Sequence, residues 1–189
     1  MELSNRETWA LIHGLVLGTL FLLAFAGGLA ELYGLRKRWE TDEGITGSVR
    51  RLIVGFWAMA VFAWATVITG TWIVYPWYRE KIAGEDAAGC EGLTLPDPES
   101  CSPRDFLLSG VAGDTQEWHK FGMEWKEHVA WIAPMLATTA AIVVTVYGVR
   151  LAQRRDVRQV AIWVFVLAFA TAAVAGLLGA LITKVAPVN

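Results

Sequence analysis

The stretch WALIHGLVLGTLFLLAFAGGLA, residues Trp9–Ala30, decides the fold of this chain. It contains no Asp, Glu, Lys or Arg, and His13 is its one imidazole. A helix needs roughly 20 such residues to cross the ~30 Å hydrocarbon core of a bilayer. Because backbone polar groups in lipid must be satisfied within the segment, the stretch predicts a membrane-spanning helix.

Three further uncharged stretches repeat this pattern: Leu52–Tyr78, Val129–Val149 and Gln159–Thr183. They predict an all-α, four-transmembrane-helix bundle that forms a single integral membrane domain over residues 1–189. The expected spans are about 9–34, 51–78, 115–149 (including an extension beyond the membrane) and 159–183. A hydrophobic fraction of 55% agrees with this class of protein. The sequence has no phosphate-binding glycine loop, no nucleophilic triad and no basic patch for nucleic acid.

The distribution of charge predicts the orientation of the bundle. The short connections 35–51 and 149–159 together carry nine Lys or Arg residues, whereas residues 79–117 carry nine acidic residues against three basic ones. The positive-inside rule places the two short connections in the cytoplasm. We therefore expect an N-out/C-out protein of a bacterial-type inner (plasma) membrane, with the long loop 79–114 on the outer side.

Both cysteines of the chain, Cys90 and Cys101, fall in this long loop. The outer face of such a membrane is oxidising, so the pair predicts a disulfide. A bridge of this span would stabilise the fold by about 2–3 kcal/mol. Covalent attachment of a c-type heme is not indicated, because neither cysteine belongs to a Cys-x-x-Cys-His motif.

The chain has only three histidines, and two of them are expected at matching depths. Arg36 and Arg150 are the first basic residues after spans one and three. His13 lies 23 residues before Arg36, and His128 lies 22 residues before Arg150. Spans one and three run in the same direction, so the two imidazoles should face each other near the outer surface. Polar side chains within a span are functional candidates. We predict that His13 and His128 are the axial ligands of one heme b.

Neighbouring residues suggest how a heme would be seated. Gly14 would let a flat macrocycle approach the backbone, although glycine here could equally serve close helix packing. At the outer end of span two, Tyr75, Tyr78 and Arg79 reach a similar depth, as does Lys81. Their hydroxyl and cationic groups are suited to binding the heme propionates.

Two alternatives remain open for the histidines. His119 could replace His128 as the partner of His13, or it could bind copper or zinc together with Met123 and Glu124. The simplest reading is that the histidines are interfacial polar residues, with His13 hydrogen-bonded to another helix.

This plan resembles that of small four-helix membrane b-type cytochromes, in which histidines on separate helices hold heme within the bundle. The resemblance rests on His13 and His128, and the chain lacks the four ligand histidines that the diheme members need. It implies an electron-transfer subunit with one heme near the outer face. Its partners would be other membrane redox subunits, with an outer electron carrier or a quinone. The alternatives are a cofactor-free accessory subunit and a metal-binding assembly factor.

The expected orientation can be tested by thiol labelling. After mild reduction, a membrane-impermeant maleimide should label Cys90 and Cys101 in intact cells, and without reduction the disulfide should block labelling. Arg154→Cys, placed in a cysteine-free background, should react only after permeabilisation. Mass spectrometry of the purified chain measures both reactions. Labelling of Arg154→Cys in sealed cells would show that the topology is the opposite of the one expected.

Overall fold

A computed structural model of the chain describes residue 3 and residues 5–34, 42–79, 102–108 and 116–185. Every element within these ranges is helical. Four helices are long and apolar enough to cross a membrane: Glu7–Gly34, Ile45–Arg79, Gln116–Ala152 and Arg155–Ile182. The prediction of an all-α protein with four spans is thus confirmed. Cys90, Cys101, Lys81 and most of the long loop lie outside the described residues.

The first two long helices each contain a π-helical turn. Helix 1 comprises Asn5–Leu11, the π turn Ile12–Val16 and Leu17–Gly34. Helix 2 comprises Asp42–Thr69, the π turn Gly70–Val74 and Tyr75–Arg79.

Helix 3 is the most irregular of the four, and helix 4 is regular throughout. Helix 3 comprises Gln116–Glu124, the π turn Trp125–Val129, Ile132–Tyr147 and the 3₁₀ segment Gly148–Ala152. Helix 4 is Arg155–Val185, and a short helix, Pro103–Leu108, precedes helix 3.

The irregularity of helix 3 has a covalent cause, Pro134. Proline has no backbone N–H, so it leaves the carbonyl of the residue four positions earlier without its helical donor. That carbonyl, on Ala130, accepts instead from the amide of Ala133 at 3.2 Å. The amide of Ala130 bonds to Trp125 O at 3.2 Å, which is the wider π spacing. The disturbance that Pro134 predicts in this span is therefore present.

Helix 1 packs against helix 2, helix 2 against helix 3 and helix 3 against helix 4, and helix 4 also contacts helix 1. The hydrogen bonds between helices 1 and 2, and those between helices 2 and 3, join residues in opposite chain order. Neighbouring helices are therefore antiparallel, and helices 1 and 3 run the same way. We call the end that carries His13, His119 and His128 the histidine end. The opposite end, where helix 1 ends at Gly34 and helix 4 begins at Arg155, is the arginine end.

Stacked phenylalanines form the core in the half of the bundle towards the arginine end. Phe56 of helix 2 stacks on Phe165 of helix 4 with ring centroids 3.8 Å apart, and Phe25 of helix 1 stacks on Phe169 at 4.1 Å. Gly28 lies against this stack: a Cβ there would be 3.0 Å from Phe165 Cζ. Helix 1 can approach the rings only because this position has no side chain.

Helix 3 presents a face of small residues to the bundle. Five of its buried positions are spaced three or four residues apart along one face: Ala133, Ala137, Ala140, Ala141 and Val144. Two indole–hydroxyl hydrogen bonds join it to helix 2, from Trp64 Nε1 to Thr138 Oγ1 and from Trp57 Nε1 to Thr145 Oγ1, each 3.0 Å long. Such interhelical bonds matter in lipid, where no water competes for the donor.

Gly28→Leu should destabilise the bundle by about 1–3 kcal/mol, because the new side chain must displace Phe165 and Phe56. Gly27→Leu is the matched control: it adds the same atoms to the next residue, where a Cβ meets no atom within 4 Å. Thermal unfolding in detergent measures both variants. Equal losses of stability at the two positions would contradict the packing role of Gly28.

Candidate functional site

Three of the four helices have their π turn at one level, near the histidine end. His13 belongs to the first turn, Gly70 begins the second and Lys126 belongs to the third. The ring of His13 packs on Gly70. A π turn inserts one residue into the helical ladder and is common at functional sites.

Helix 2 orients the ring of His13. Thr69 has one hydroxyl proton, which it donates to backbone carbonyls, that of Ala65 at 2.8 Å and that of Thr66 at 3.1 Å. The oxygen of Thr69 therefore accepts from Nδ1 of His13, 3.0 Å away. This network assigns the ring proton to Nδ1, so Nε2 keeps its lone pair.

Gly70 makes room for this ring. A Cβ at residue 70 would lie 2.8 Å from Cε1 of His13 and 3.5 Å from Nε2. Gly14, the residue that follows His13, meets nothing: a Cβ there would have no atom within 4 Å. The glycine that admits the imidazole to the bundle is therefore Gly70 on helix 2, and the backbone at Gly14 is open.

Helix 3 directs Lys126 towards the bundle at this level. Nζ of Lys126 lies 3.2 Å from the place where a Cβ of Gly179, on helix 4, would be. With His13 nearby, residues from three helices approach the same region. Sequence reasoning missed Lys126, because it assigned the segment before Val129 to the extension above the membrane. Its spacing of seven residues from His119, two helical turns, was the available signal.

His128 lies on a different face of helix 3, two residues beyond Lys126. Its side chain is 69% exposed, and Nδ1 donates to the backbone carbonyl of Glu124 at 3.1 Å. The Glu124 carboxylate is 3.5 Å from the same nitrogen. A step of two residues turns a helix by about half a turn, so Lys126 and His128 cannot both face inwards. The expectation that His13 and His128 face each other across the bundle does not describe this arrangement.

His119 is the most deeply buried of the three histidines. It is fully buried, and neither Nδ1 nor Nε2 has a hydrogen-bond partner among the described residues. Its ring is stacked nearly parallel to that of Tyr78, with centroids 6.1 Å apart and an interplanar angle of 7°. An unpaired buried polar group costs roughly 1–3 kcal/mol, so these two nitrogens indicate a missing partner.

A cavity of ≈120 Å³ lies beside His119 at the histidine end of the bundle, and we call it the His119 cavity. Helix 2, the short helix and helix 3 all contribute to its lining. The lining residues are Tyr75, Tyr78, Arg79, Arg104, Leu108, His119, Lys120, Met123, Glu124 and Glu127. The structure thus brings together Tyr75, Tyr78 and Arg79, which the sequence selected, and adds His119 to them.

Internal contacts already occupy several polar groups of this cavity. Tyr75 donates a short hydrogen bond to Glu127, and the guanidinium of Arg79 lies over the ring of Tyr75, 5.6 Å from its centroid. Within the described part of the chain, no group of three or more His, Cys, Asp or Glu residues is placed to hold a metal ion. The copper or zinc site predicted for His119, Met123 and Glu124 would need a further ligand.

Comparisons of the chain with protein-family models, curated proteins and solved structures found no match. A proposal for its function must therefore rest on the residues of the site. Two groups stand out: the imidazole of His13 with its free Nε2, and the His119 cavity.

Gly70→Ala should displace the ring of His13, because the added methyl group would lie 2.8 Å from Cε1. We expect a loss of about 1–3 kcal/mol in the free energy of unfolding. Gly14→Ala is the control and should be neutral or slightly stabilising, since alanine favours helix over glycine. Thermal unfolding in detergent compares the two. If both alanines stabilise the protein equally, His13 does not pack on Gly70 as described.

Proposed function

We propose that the chain is a membrane-embedded electron-transfer subunit that holds one heme b near one face of the membrane. The observation that carries the proposal is the imidazole of His13, held within a span with its proton on Nδ1. Histidines that ligate metals usually donate one ring N–H to an oxygen and coordinate through the other nitrogen. Thr69 supplies that oxygen, and Nε2 of His13 remains free to bind iron.

The second axial ligand is proposed to be His128, with His119 as the alternative. His128 has the same proton arrangement as His13, because its Nδ1 donates to a carbonyl that can only accept. Its exposure leaves Nε2 accessible. His119 has two unpartnered nitrogens, so it too could coordinate iron. Mutation of each histidine separates the two ligand sets.

Heme would supply one-electron redox chemistry at this position. Two histidine ligands saturate the iron, which favours electron transfer over reaction with oxygen. One heme near one face cannot carry electrons across the membrane. We therefore propose that the chain works with other membrane redox subunits and exchanges electrons with an outer carrier or a quinone.

Room for the macrocycle would come from movement at the histidine end. The His119 cavity has a volume of ≈120 Å³, which is too small for a porphyrin. The π turns of helices 1 and 3 interrupt the regular hydrogen-bond ladder close to the proposed ligands. Separation of these helices would cost least at such irregular turns. Lys126, which lies near His13, would have to move or to face the heme edge.

The protein purified with its native partners should show a sharp reduced-minus-oxidised α band of a b-type heme, at one heme per chain by pyridine hemochrome assay. His13→Ala should abolish the band, because the proposed ligand is lost. His128→Ala should abolish it if His128 is the second ligand, and His119→Ala if His119 is.

Thr69→Val is the informative control for the ligand's orientation. It keeps the shape of the side chain and removes the oxygen that accepts from His13, so heme should remain bound with a shifted reduction potential. Absence of heme from the native complex would sink the proposal and leave a cofactor-free accessory subunit. Copper or zinc that is bound by the purified protein and lost only in His119→Ala would favour the metal-binding assembly factor.

A further inference from the structure

Cationic side chains, which donate hydrogen bonds, outnumber carboxylates in the lining of the His119 cavity. Three cationic side chains line it: Arg79, Arg104 and Lys120. Its two carboxylates are Glu127, which accepts from the hydroxyl of Tyr75, and Glu124, which lies 3.5 Å from Nδ1 of His128. Arg104 already forms an ion pair with Asp105 at 3.5 Å. The unpaired imidazole of His119 adds a further donor to the lining. A ligand of this cavity must therefore accept hydrogen bonds.

His119 is the reason to regard the cavity as a built site. Its ring is fully buried, stacked on Tyr78, and leaves both nitrogens without a partner in the described structure. A histidine that only filled space would be replaced by phenylalanine at no cost in hydrogen bonding. Retaining two unsatisfied polar atoms has a free-energy cost unless a ligand pairs with them.

The charge of the lining decides which kind of ligand fits. A metal cation would meet three positive side chains, which outnumber the two carboxylates of the lining. An anionic oxygen group would instead receive charge-assisted hydrogen bonds, which are about twice as strong as neutral ones. The cavity volume of ≈120 Å³ suits one such group and a few bound waters.

We propose that the His119 cavity binds a single oxyanion, a carboxylate or a phosphate group, with Arg79, Lys120 and His119 as its donors. Such a group could come from a heme propionate, or it could be a lipid phosphate or a free anion. Only a heme propionate as the source depends on the proposed function. The oxyanion site itself does not, so phosphate binding and heme binding can be tested separately.

The probe is inorganic phosphate, titrated at constant pH into detergent-purified protein from which lipid has been removed. Binding should saturate near one phosphate per chain by equilibrium dialysis, and the unfolding temperature should rise with occupancy. Arg79→Gln and Lys120→Gln should each weaken binding about tenfold, the loss expected for one charge-assisted hydrogen bond. Arg150→Gln, an exposed arginine at the arginine end, should bind phosphate as the wild type does.

His119→Phe tests the imidazole itself. Phenylalanine keeps the stacking on Tyr78 and removes both nitrogens, so the variant should fold, unfold at a higher temperature without phosphate, and lose the phosphate-dependent rise. Failure of the wild type to bind phosphate, or equal binding by Arg79→Gln and Arg150→Gln, would overturn the proposal. Unchanged phosphate affinity in His119→Phe would do so as well.

Heme loading identifies the source of the oxyanion. If heme b blocks phosphate binding and its propionate dimethyl ester does not, the cavity takes a propionate. If the heme-loaded protein still binds phosphate, the group is a lipid phosphate or a free anion. Phosphate binding by a protein that takes no heme would sustain the oxyanion site and remove the proposed cytochrome function.

Discussion

The structure depends on the need to satisfy every polar group that enters lipid from within the protein. The backbone meets this need by folding into four helices. The hydroxyls of the spans follow the same rule: Thr138 and Thr145 each bond to the carbonyl four residues earlier and then accept an indole N–H from helix 2. Thr69 does the same for His13. Against this background the two nitrogens of His119 are exceptional, because neither has a hydrogen-bond partner among the described residues.

The two halves of the bundle differ in packing and in helix geometry. Towards the arginine end, stacked phenylalanines and Gly28 make a dense apolar core. Towards the histidine end, three helices contain π turns, and polar side chains enter the interior. Packing in the first half holds the irregular turns of the second in place. The densely packed half and the half that contains the proposed ligand residues are thus separate parts of one small domain.

Sequence reasoning predicted the four spans well, because length and absence of charge are sufficient signals in a membrane. It also selected Tyr75, Tyr78 and Arg79 from their depth at the end of span two, and the structure brings them together. It did not reveal that the side chain of His128 is 69% exposed, and the assignment of His13 and His128 as ligands of one heme stays a prediction. Depth follows from counting residues along a helix, but the face of a residue depends on helical phase, and a π turn changes that phase. Lys126 escaped notice for a different reason, because the segment before Val129 was assigned to the extension beyond the membrane.

The sequence by itself determined that the chain is a bundle of four apolar helices and at which depth its histidines lie. Both properties are local, since they depend only on composition and on the rise of a helix per residue. The tertiary structure alone decided which side chains share a space. Gly70 on helix 2 makes room for the ring of His13. Residues of helix 2, the short helix and helix 3 enclose the His119 cavity, and three of them are cationic. These contacts depend on helical phase and on the packing of separate segments, which no single stretch of sequence contains.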